Sequence, residues 1–171
     1  LLVLLSLANH LPAEGLEKYA FDSNLAVLCI FVISPFADSI AYVFGRFMKK
    51  KFPKKMAPSV SPNKTVIGGV GGLVGGLVGA AILYFSYNAV AGSFEKMYLF
   101  LPVYLLIGLV TAVATEFGDL AESCVKRKAG IKDMGKLLPG HGGVMDRIDG
   151  TLFATAAVYL VFVVIGALPV A

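Results

Sequence analysis

The stretch TLFATAAVYLVFVVIGALPV, residues 151–170, contains no charged residue. Its apolar side chains occur all around the helical period, which is typical of a helix surrounded by lipid and not of a helix on the surface of a soluble protein. A helix needs about 20 apolar residues to cross the roughly 30 Å hydrocarbon layer of a membrane. The stretch therefore predicts a transmembrane helix and, with it, an all-α membrane fold.

Other apolar runs of the same kind precede this stretch, and a shorter one opens the chain. We predict transmembrane helices over residues 24–47, 65–90, 98–117 and 151–170, and we interpret residues 1–8 as the end of a fifth. Hydrophobic residues make up 57% of the chain and its mean hydropathy is +0.80, above the apolar content of about 45–50% in soluble domains. We expect a polytopic transmembrane helical bundle that forms a single domain over residues 1–171, with N-terminal transmembrane segments missing.

Basic residues are concentrated in the loops at one end of the predicted bundle. The loop after the first full helix contains Lys49, Lys50, Lys51, Lys54, Lys55 and Lys64. A second basic stretch, CVKRKAGIKDMGK, follows the third full helix, whereas the loops at the other end contain few lysines. Cytoplasmic loops of membrane proteins carry the excess of Lys and Arg. Both basic stretches are therefore predicted to face the cytoplasm.

The run GGVGGLVGGLVGA, residues 68–80, places glycines four residues apart on the second full helix. One ridge consists of Gly68, Gly72 and Gly76, and the next of Gly71, Gly75 and Gly79. Small residues at this spacing let membrane helices approach closely, and the run lacks the context of a nucleotide-binding glycine motif. It predicts close helix contacts, either within one chain or between the two copies of a homodimer.

Asp38 lies inside the first apolar run, where a carboxylate facing lipid would cost on the order of 3 kcal/mol. It must therefore face protein, water or a cation. Residues four apart share a helix face, so Tyr42 and Arg46 lie on the same side as Asp38. A role in a functional site is favoured, and a purely structural pair with a base from another helix is the alternative.

The third apolar run ends in ATEFGDLAESCVKR, which contains both acids and bases. If the helix continues through this segment, three-and-four spacing places one set of side chains on a single face. That set is Glu116, Asp119, Ser123, Lys126 and Arg127. Glu122 pairs with Lys126 by its spacing, and an ordinary ion pair at the end of a helix would explain it equally well.

The segment LLPGHGGVMDRIDG, residues 137–150, brings more polar residues up to the charge-free stretch. Asp146 and Asp149 are three apart, so one helical turn places both carboxylates on one side. Mg²⁺ in proteins is held by one or two carboxylates together with water and substrate phosphates, and Asp119 with this pair fits that requirement. Because Mg²⁺ prefers oxygen ligands, His141 is better suited to bind phosphate or to support the loop.

Glycines flank His141 in the same segment. Gly140, Gly142 and Gly143 permit a close approach of the backbone to a ligand, or they simply form a turn. Acids for a divalent cation, bases for phosphates and a position at the membrane surface are the parts that phosphoryl or nucleotidyl transfer needs, since positioning and charge neutralisation supply most of its catalysis. Ser-His-Asp and catalytic Cys arrangements are not visible in the sequence.

These motifs resemble the phosphatidate cytidylyltransferases, also called CDP-diacylglycerol synthases. The resemblance rests on two motifs. The first is Ser123-x-x-Lys126-Arg127-x4-Lys132-Asp133-x-Gly135-x-x-Leu138-Pro139-x-His141-Gly142-Gly143-x-x-Asp146-Arg147-x-Asp149. The second is Asp38-x-x-Ala41-Tyr42-x-x-Gly45-Arg46, followed by Ser61-Pro62-x-Lys64-Thr65 and Gly68. The preceding Gly118-Asp119-Leu120 and Glu122-Ser123 also fit. The motifs extend over most of the chain.

The resemblance implies an enzyme that joins CTP to phosphatidate, with Mg²⁺ and in addition K⁺ as cofactors, in a bacterial-type plasma membrane. It implies that Asp119 and Asp146 bind the metal with Asp149 as a supporting acid, and that Lys126 and Arg127 act with them in catalysis. The substrate-binding candidates are Asp38, Tyr42, Arg46, Lys64, Ser123, Lys132, His141, Gly142, Gly143 and Arg147. No nucleic-acid partner is expected.

One position departs from the family pattern. The family usually has an acid just before the glycine of the Ser-Pro-x-Lys-Thr segment, and this chain has Ile67 there. Any role of that acid is then absent or supplied by another residue. An ion or lipid transporter that uses Asp38 in its pathway, or an inactive homologue, remains the alternative.

Overall fold

The computed structural model describes residues 23–91, 97–131, 133–135 and 143–167. Within them the chain forms α1 Ser23–Met48, β1 Lys55–Ala57, β2 Ser61–Thr65, α2 Val66–Ala91, α3 Met97–Lys128 and α4 Met145–Ala167. The two short strands pair antiparallel as a hairpin, with Lys55 opposite Thr65 and Ala57 opposite Ser61. The prediction of an all-α membrane fold is confirmed, and the hairpin is an addition that the apolar runs did not predict.

Three of the described helices contain segments long and apolar enough to cross a membrane. These segments are Leu25–Met48, Val66–Val90 and Phe100–Lys128, and Ile148–Val164 is a shorter apolar segment. Large apolar side chains such as Phe31, Leu106 and Leu160 are exposed on the outside of the bundle, as expected where lipid and not water is the solvent. The chain is a membrane protein.

The core of the bundle is built mainly from apolar side chains of all four described helices. It includes Ile33 on α1, Tyr84 on α2, Ile107 on α3 and Phe162 on α4, each of which is almost completely buried. The rings of Tyr84 and Tyr104 pack edge to face with their centroids 5.1 Å apart. This core leaves the polar side chains of the sequence motifs at one end of the bundle.

Both glycine ridges of α2 are used for contacts within the chain. A Cβ atom added at Gly75 would lie 2.5 Å from the carbonyl oxygen of Phe36 on α1. A Cβ atom at Gly76 would lie 2.5 Å from the carbonyl oxygen of Gly108 on α3. The prediction of close helix packing is therefore confirmed within one chain, whereas the pairing of two chains stays a prediction.

The ends of the helices show why the polar segments fold as they do. Thr65 caps α2, because its Oγ1 accepts a hydrogen bond of 3.1 Å from the backbone N–H of Gly68. After the last residue of α3, Gly130 has a φ of 68°, and Ile131 N–H bonds back to the carbonyl of Lys126 at 3.0 Å. This left-handed residue ends α3 in a Schellman-type turn.

Two helices extend beyond the apolar runs that predicted them. The third run was predicted to end at residue 117, but α3 continues to Lys128. Its 32 residues span about 48 Å, well beyond the roughly 30 Å hydrocarbon layer. The last helix begins at Met145, before the predicted start at residue 151. Polar residues in these extensions pack against one another, so helix continues where hydropathy alone stops. The predicted span over residues 1–8 lies outside the described residues.

Candidate active site

Two cavities lie at the end of the bundle where α1 and α3 end and α2 and α4 begin. The larger, of about 820 Å³, lies between α1, the hairpin, α2 and α3, and the smaller, of about 260 Å³, lies between α1, β2, α3 and α4. Asp38, Lys64 and Asp119 line both cavities. These residues are far apart in the sequence, on α1, β2 and α3, and they form one common wall.

Lys64 is bonded to Asp119 within that wall. Its Nζ donates a hydrogen bond of 2.7 Å to Oδ2 of Asp119, and both side chains are about three-quarters buried. Lys64 is positioned by strand β2, which runs directly into the capped start of α2. The hairpin thus places the Lys64 side chain, which belongs to the basic loop, next to Asp119 on α3.

Lys126 forms the second cationic centre, at the smaller cavity. Its Nζ lies 2.5 Å from Oε2 of Glu122, one turn earlier on α3, and 2.8 Å from Oδ1 of Asp146 at the start of α4. The predicted pair of Glu122 and Lys126 is therefore confirmed. Because Lys126 also reaches Asp146, it joins the two helices that flank the cavity.

Asp146 is also bonded to the loop between α3 and α4. Its Oδ2 accepts hydrogen bonds from the backbone N–H groups of Met134 at 2.9 Å and Gly143 at 2.7 Å. The hydrogen bond from Lys126, with those two N–H groups, lowers the pKa of Asp146 from its ordinary value to about 2. Asp146 is thus ionised at neutral pH and fastens the loop to α4.

The smaller cavity has an excess of negative charge. Its lining includes the five acids Asp38, Asp119, Glu122, Asp146 and Asp149 and the two lysines Lys64 and Lys126. The Glu122 side chain is only 5% exposed, and its Oε1 is buried without a hydrogen-bond partner among the described residues. Such an unsatisfied acceptor is costly, and either a proton shared with the neighbouring Asp149 or a bound cation would satisfy it.

A Mg²⁺ ion fits this donor set. The part of the chain that the structure describes contains no group of three or more His, Cys, Asp or Glu side chains that could by itself hold a metal ion. Mg²⁺ does not require such a cage, because it is usually bound by one or two carboxylates with waters and substrate phosphates. The excess of acidic over basic side chains, and the Glu122 oxygen without a partner among the described residues, are compatible with that mode of binding.

The larger cavity opens toward the basic loop. Arg46 Nη1 donates a hydrogen bond of 2.7 Å to the hydroxyl of Tyr42, and both side chains are exposed. With Asp38 they line the cavity from α1, so the predicted helix face is confirmed. Lys49 and Lys55 line it as further exposed cations.

The remaining predicted residues have different positions. Ser123 lines the smaller cavity with the acids. Arg127 lines neither cavity: it is exposed, and its Nε donates a hydrogen bond of 3.2 Å to the carbonyl of Val60 in the hairpin. Gly143 contributes its N–H to Asp146. Lys132, His141, Gly142 and the side chain of Arg147 lie outside the described residues.

Two acids that the sequence analysis did not include among the site residues belong to the cavity walls. Glu122 lines the smaller cavity and Glu116 lines the larger one. The spacing of Glu116 three residues before Asp119 was the available signal, because it places both on one face of α3. Ile67, where the resemblance expects an acid, lines neither cavity.

Comparison with known proteins identifies the family of this chain. A model of the cytidylyltransferase family matches residues 2–165. The chain belongs to the cytidylyltransferase family. The resemblance inferred from the motifs is therefore confirmed.

Named members of the cytidylyltransferase family are similar to most of the chain. The chain is 39% identical over 147 residues to a phosphatidate cytidylyltransferase of Brucella abortus biovar 1 (strain 9-941). The matched region covers 86% of this chain and 49% of that relative. The chain is also 39% identical over 147 residues to one of Haemophilus influenzae, covering 84% of this chain and 47% of the relative. A phosphatidate cytidylyltransferase of Staphylococcus haemolyticus is 35% identical over 127 residues, and the matched region covers 74% of this chain and 45% of that relative. The chain spans about half the length of these relatives.

Proposed function

We propose that the protein transfers a cytidylyl group from CTP to phosphatidate, giving CDP-diacylglycerol and pyrophosphate for phospholipid synthesis. The observation that carries this proposal is the wall of Asp38, Lys64 and Asp119 shared by two cavities. The transfer of a cytidylyl group from one substrate to the other needs adjoining sites with charged groups between them. The names of the similar relatives support the same reaction.

The position of the cavities suits a reaction between a soluble nucleotide and a lipid. They lie where α1 and α3 end and α2 and α4 begin, next to the hairpin. A lipid phosphate bound here would leave its acyl chains among the helices, and CTP would arrive from water. The lysine-rich loop after α1 supports a cytoplasmic location of this end.

We propose Asp119, Asp146 and Asp149 as the residues that hold Mg²⁺, with K⁺ as a further cation. Bound Mg²⁺ would supply charge neutralisation and orientation of the phosphates. Asp119 has a lysine contact at one oxygen, whereas Asp146 accepts Lys126 at Oδ1 and two backbone N–H groups at Oδ2, so Mg²⁺ would share or replace one of these donors at Asp146. Lys64 and Lys126 therefore lie where they can also contact phosphate oxygens of the substrates.

The proposed chemistry needs no nucleophile from the protein. A phosphate oxygen of phosphatidate attacks the α-phosphorus of CTP, the bond from that phosphorus to the oxygen bridging toward the β-phosphorus breaks, and pyrophosphate leaves with the electron pair. Lys64 and Lys126 stabilise the charge that develops on the phosphate oxygens. Arg127, Lys132, His141, Gly142 and Arg147 are proposed as further phosphate contacts, and Tyr42 and Arg46 as contacts at the rim of the larger cavity.

The test is direct. Purified protein in lipid vesicles is incubated with CTP labelled at the α-phosphate, phosphatidate and Mg²⁺, and the lipid extract is analysed for labelled nucleotide. We expect a lipid-soluble product that requires phosphatidate and disappears with a chelator. The absence of that product would refute the proposal, and movement of an ion or lipid across the vesicle membrane without it would favour a transporter.

A further inference from the structure

Glu116 occupies a recess that two glycines of α2 create. A Cβ atom added at Gly72 would overlap Glu116 Oε1. One added at Gly69 would overlap the terminal methyl group of Met56 and would lie 3.0 Å from Glu116 Oε2. These glycines differ in use from Gly76, whose missing side chain makes room for the backbone of Gly108. The glycine run therefore packs helices in its middle and accommodates a carboxyl group at its beginning.

The carboxyl group in this recess has an oxygen that none of the described residues satisfies. Glu116 Oε1 is buried and has no hydrogen-bond partner among the described residues. The nearby cation, Lys64, is bonded to Asp119. A buried acceptor without a donor costs free energy, so Glu116 Oε1 is expected to meet a donor beyond the described residues. Glu116 lines the larger cavity, which is where a ligand would meet it.

The larger cavity has a distinct distribution of charge. Arg46, Lys49 and Lys55 line it with exposed cationic side chains, and Lys64 lies on the wall shared with the smaller cavity. Glu116 lies one helical turn further into the bundle than Asp119, or about 4.5 Å along α3. A ligand that fits this cavity needs a group that donates hydrogen bonds near Glu116 and anionic groups nearer the lysines.

The two substrates of the proposed reaction differ in this respect. Phosphatidate offers ester carbonyls, acyl chains and an anionic phosphate, so it has essentially only acceptors to present to a carboxylate. CTP has ribose hydroxyls and a base amino group, which donate hydrogen bonds, together with a triphosphate. A volume of about 820 Å³ lies within the range of small-molecule and cofactor sites.

We propose that the larger cavity binds the nucleoside part of CTP, with Glu116 accepting a hydrogen bond from a ribose hydroxyl or from the base amino group. This inference rests on the proposed function. The triphosphate then extends past Lys64 to the wall shared with the smaller cavity. Glu116 is thus a residue for CTP binding, and the missing side chain of Gly72 leaves the room that its carboxyl group needs.

The experiment compares CTP binding with phosphatidate utilisation in three variants of the purified protein. Equilibrium binding of CTP in the presence of Mg²⁺ is measured for Glu116→Leu, Glu116→Gln and Gly72→Ala, together with KM values for both substrates. Glu116→Leu should weaken CTP binding about ten- to hundredfold, the effect of losing a charge-assisted hydrogen bond. Glu116→Gln keeps an acceptor oxygen and should lose less, and Gly72→Ala should weaken binding because it displaces the carboxyl group. The KM for phosphatidate should stay within twofold.

Thr111→Val is the matched control on the same helix. Thr111 is fully buried, bonds to the carbonyl of Ile107 at 2.7 Å and lines neither cavity. Its replacement should leave CTP binding unchanged. Binding of 2′-deoxy-CTP, 3′-deoxy-CTP and UTP then identifies which group of CTP donates the hydrogen bond to Glu116. The analogue that lacks this group should bind the wild type and Glu116→Leu equally weakly.

The outcomes separate this inference from the proposed function. If the wild type binds CTP but Glu116→Leu binds it within twofold, or raises only the KM for phosphatidate, the assignment of the larger cavity is wrong while the reaction stands. The assignment is also wrong if the wild type binds all three analogues as tightly as CTP. A wild type that neither binds CTP nor forms the lipid product refutes both.

Discussion

Replacing Asp146 by asparagine tests the geometry on which the proposed site depends. The carboxylate accepts three hydrogen bonds, from Lys126 Nζ at Oδ1 and from the N–H groups of Met134 and Gly143 at Oδ2. Asparagine has one oxygen and one NH₂ group in the same shape. If its oxygen keeps the two backbone donors, its NH₂ group faces the ammonium of Lys126, and the opposite orientation loses both backbone bonds.

The orientation that keeps both backbone donors loses only the hydrogen bond from the charged Lys126, which costs about 1.5–3 kcal/mol. The side chains of Lys126 and Asp146 are only 13% and 11% exposed, so water compensates little of that loss. If the contact is needed in the transition state, turnover falls about ten- to hundredfold. A role of the carboxylate in holding Mg²⁺ would increase the loss beyond hundredfold.

Two measurements check this expectation. Formation of the lipid-soluble nucleotide reports turnover, and hydrogen exchange of the backbone amides reports whether the loop stays bonded to α4. Exchange at Met134 and Gly143 should be faster only if the asparagine turns its NH₂ group toward them. Asp133→Asn removes an exposed carboxyl from the same loop and is the control for exchange. Turnover above a third of the wild-type value would refute the assignment of Asp146 to the site.

The other predictions concern the shared wall, the glycine contacts and the rim. Lys64→Met should lower turnover at least tenfold, because it removes the 2.7 Å partner of Asp119 and leaves that carboxylate unpaired beside the substrates. In steady-state kinetics, the loss of turnover in the double variant with Asp119→Asn should not equal the sum of the two single losses. Gly108→Ala should lower the melting temperature in detergent, since a Cβ atom there would lie 2.6 Å from the carbonyl oxygen of Gly76 and overpacking costs about 1–3 kcal/mol; an unchanged melting temperature would contradict the close helix contact. Arg46→Ala should leave the melting temperature unchanged, because the side chain is exposed, and should raise the KM for CTP; an unchanged KM would remove Arg46 from the substrate-binding residues.

Much of the bundle could be predicted because hydropathy and helix formation are local properties. The runs over residues 24–47 and 65–90 correspond closely to α1 and α2. The pairs that local spacing predicted are also present, Arg46 with Tyr42 and Lys126 with Glu122. In each pair the residues are four apart on one helix, so their contact follows from the helical period alone.

The hairpin was not predicted because its strands have no alternating apolar pattern. β2 has the sequence SPNKT, and its register depends on pairing with β1 and on the capped start of α2. Hydropathy also underestimated α3, whose polar extension to Lys128 is stabilised by contacts with α4 and the hairpin. Contacts between distant segments determine these elements, and a local pattern does not record them.

The sequence by itself determined the membrane helices and the polar residues at one end of them, because the cost of placing charge in lipid and the period of the helix act within a single segment. The tertiary structure decided which acids and bases meet. It joined Lys64 to Asp119 across 55 positions and Lys126 to Asp146 across 20, and it gave Glu116 its recess between two glycines of another helix. Side chains from separate helices meet only where the helices pack, and the packing depends on the whole bundle.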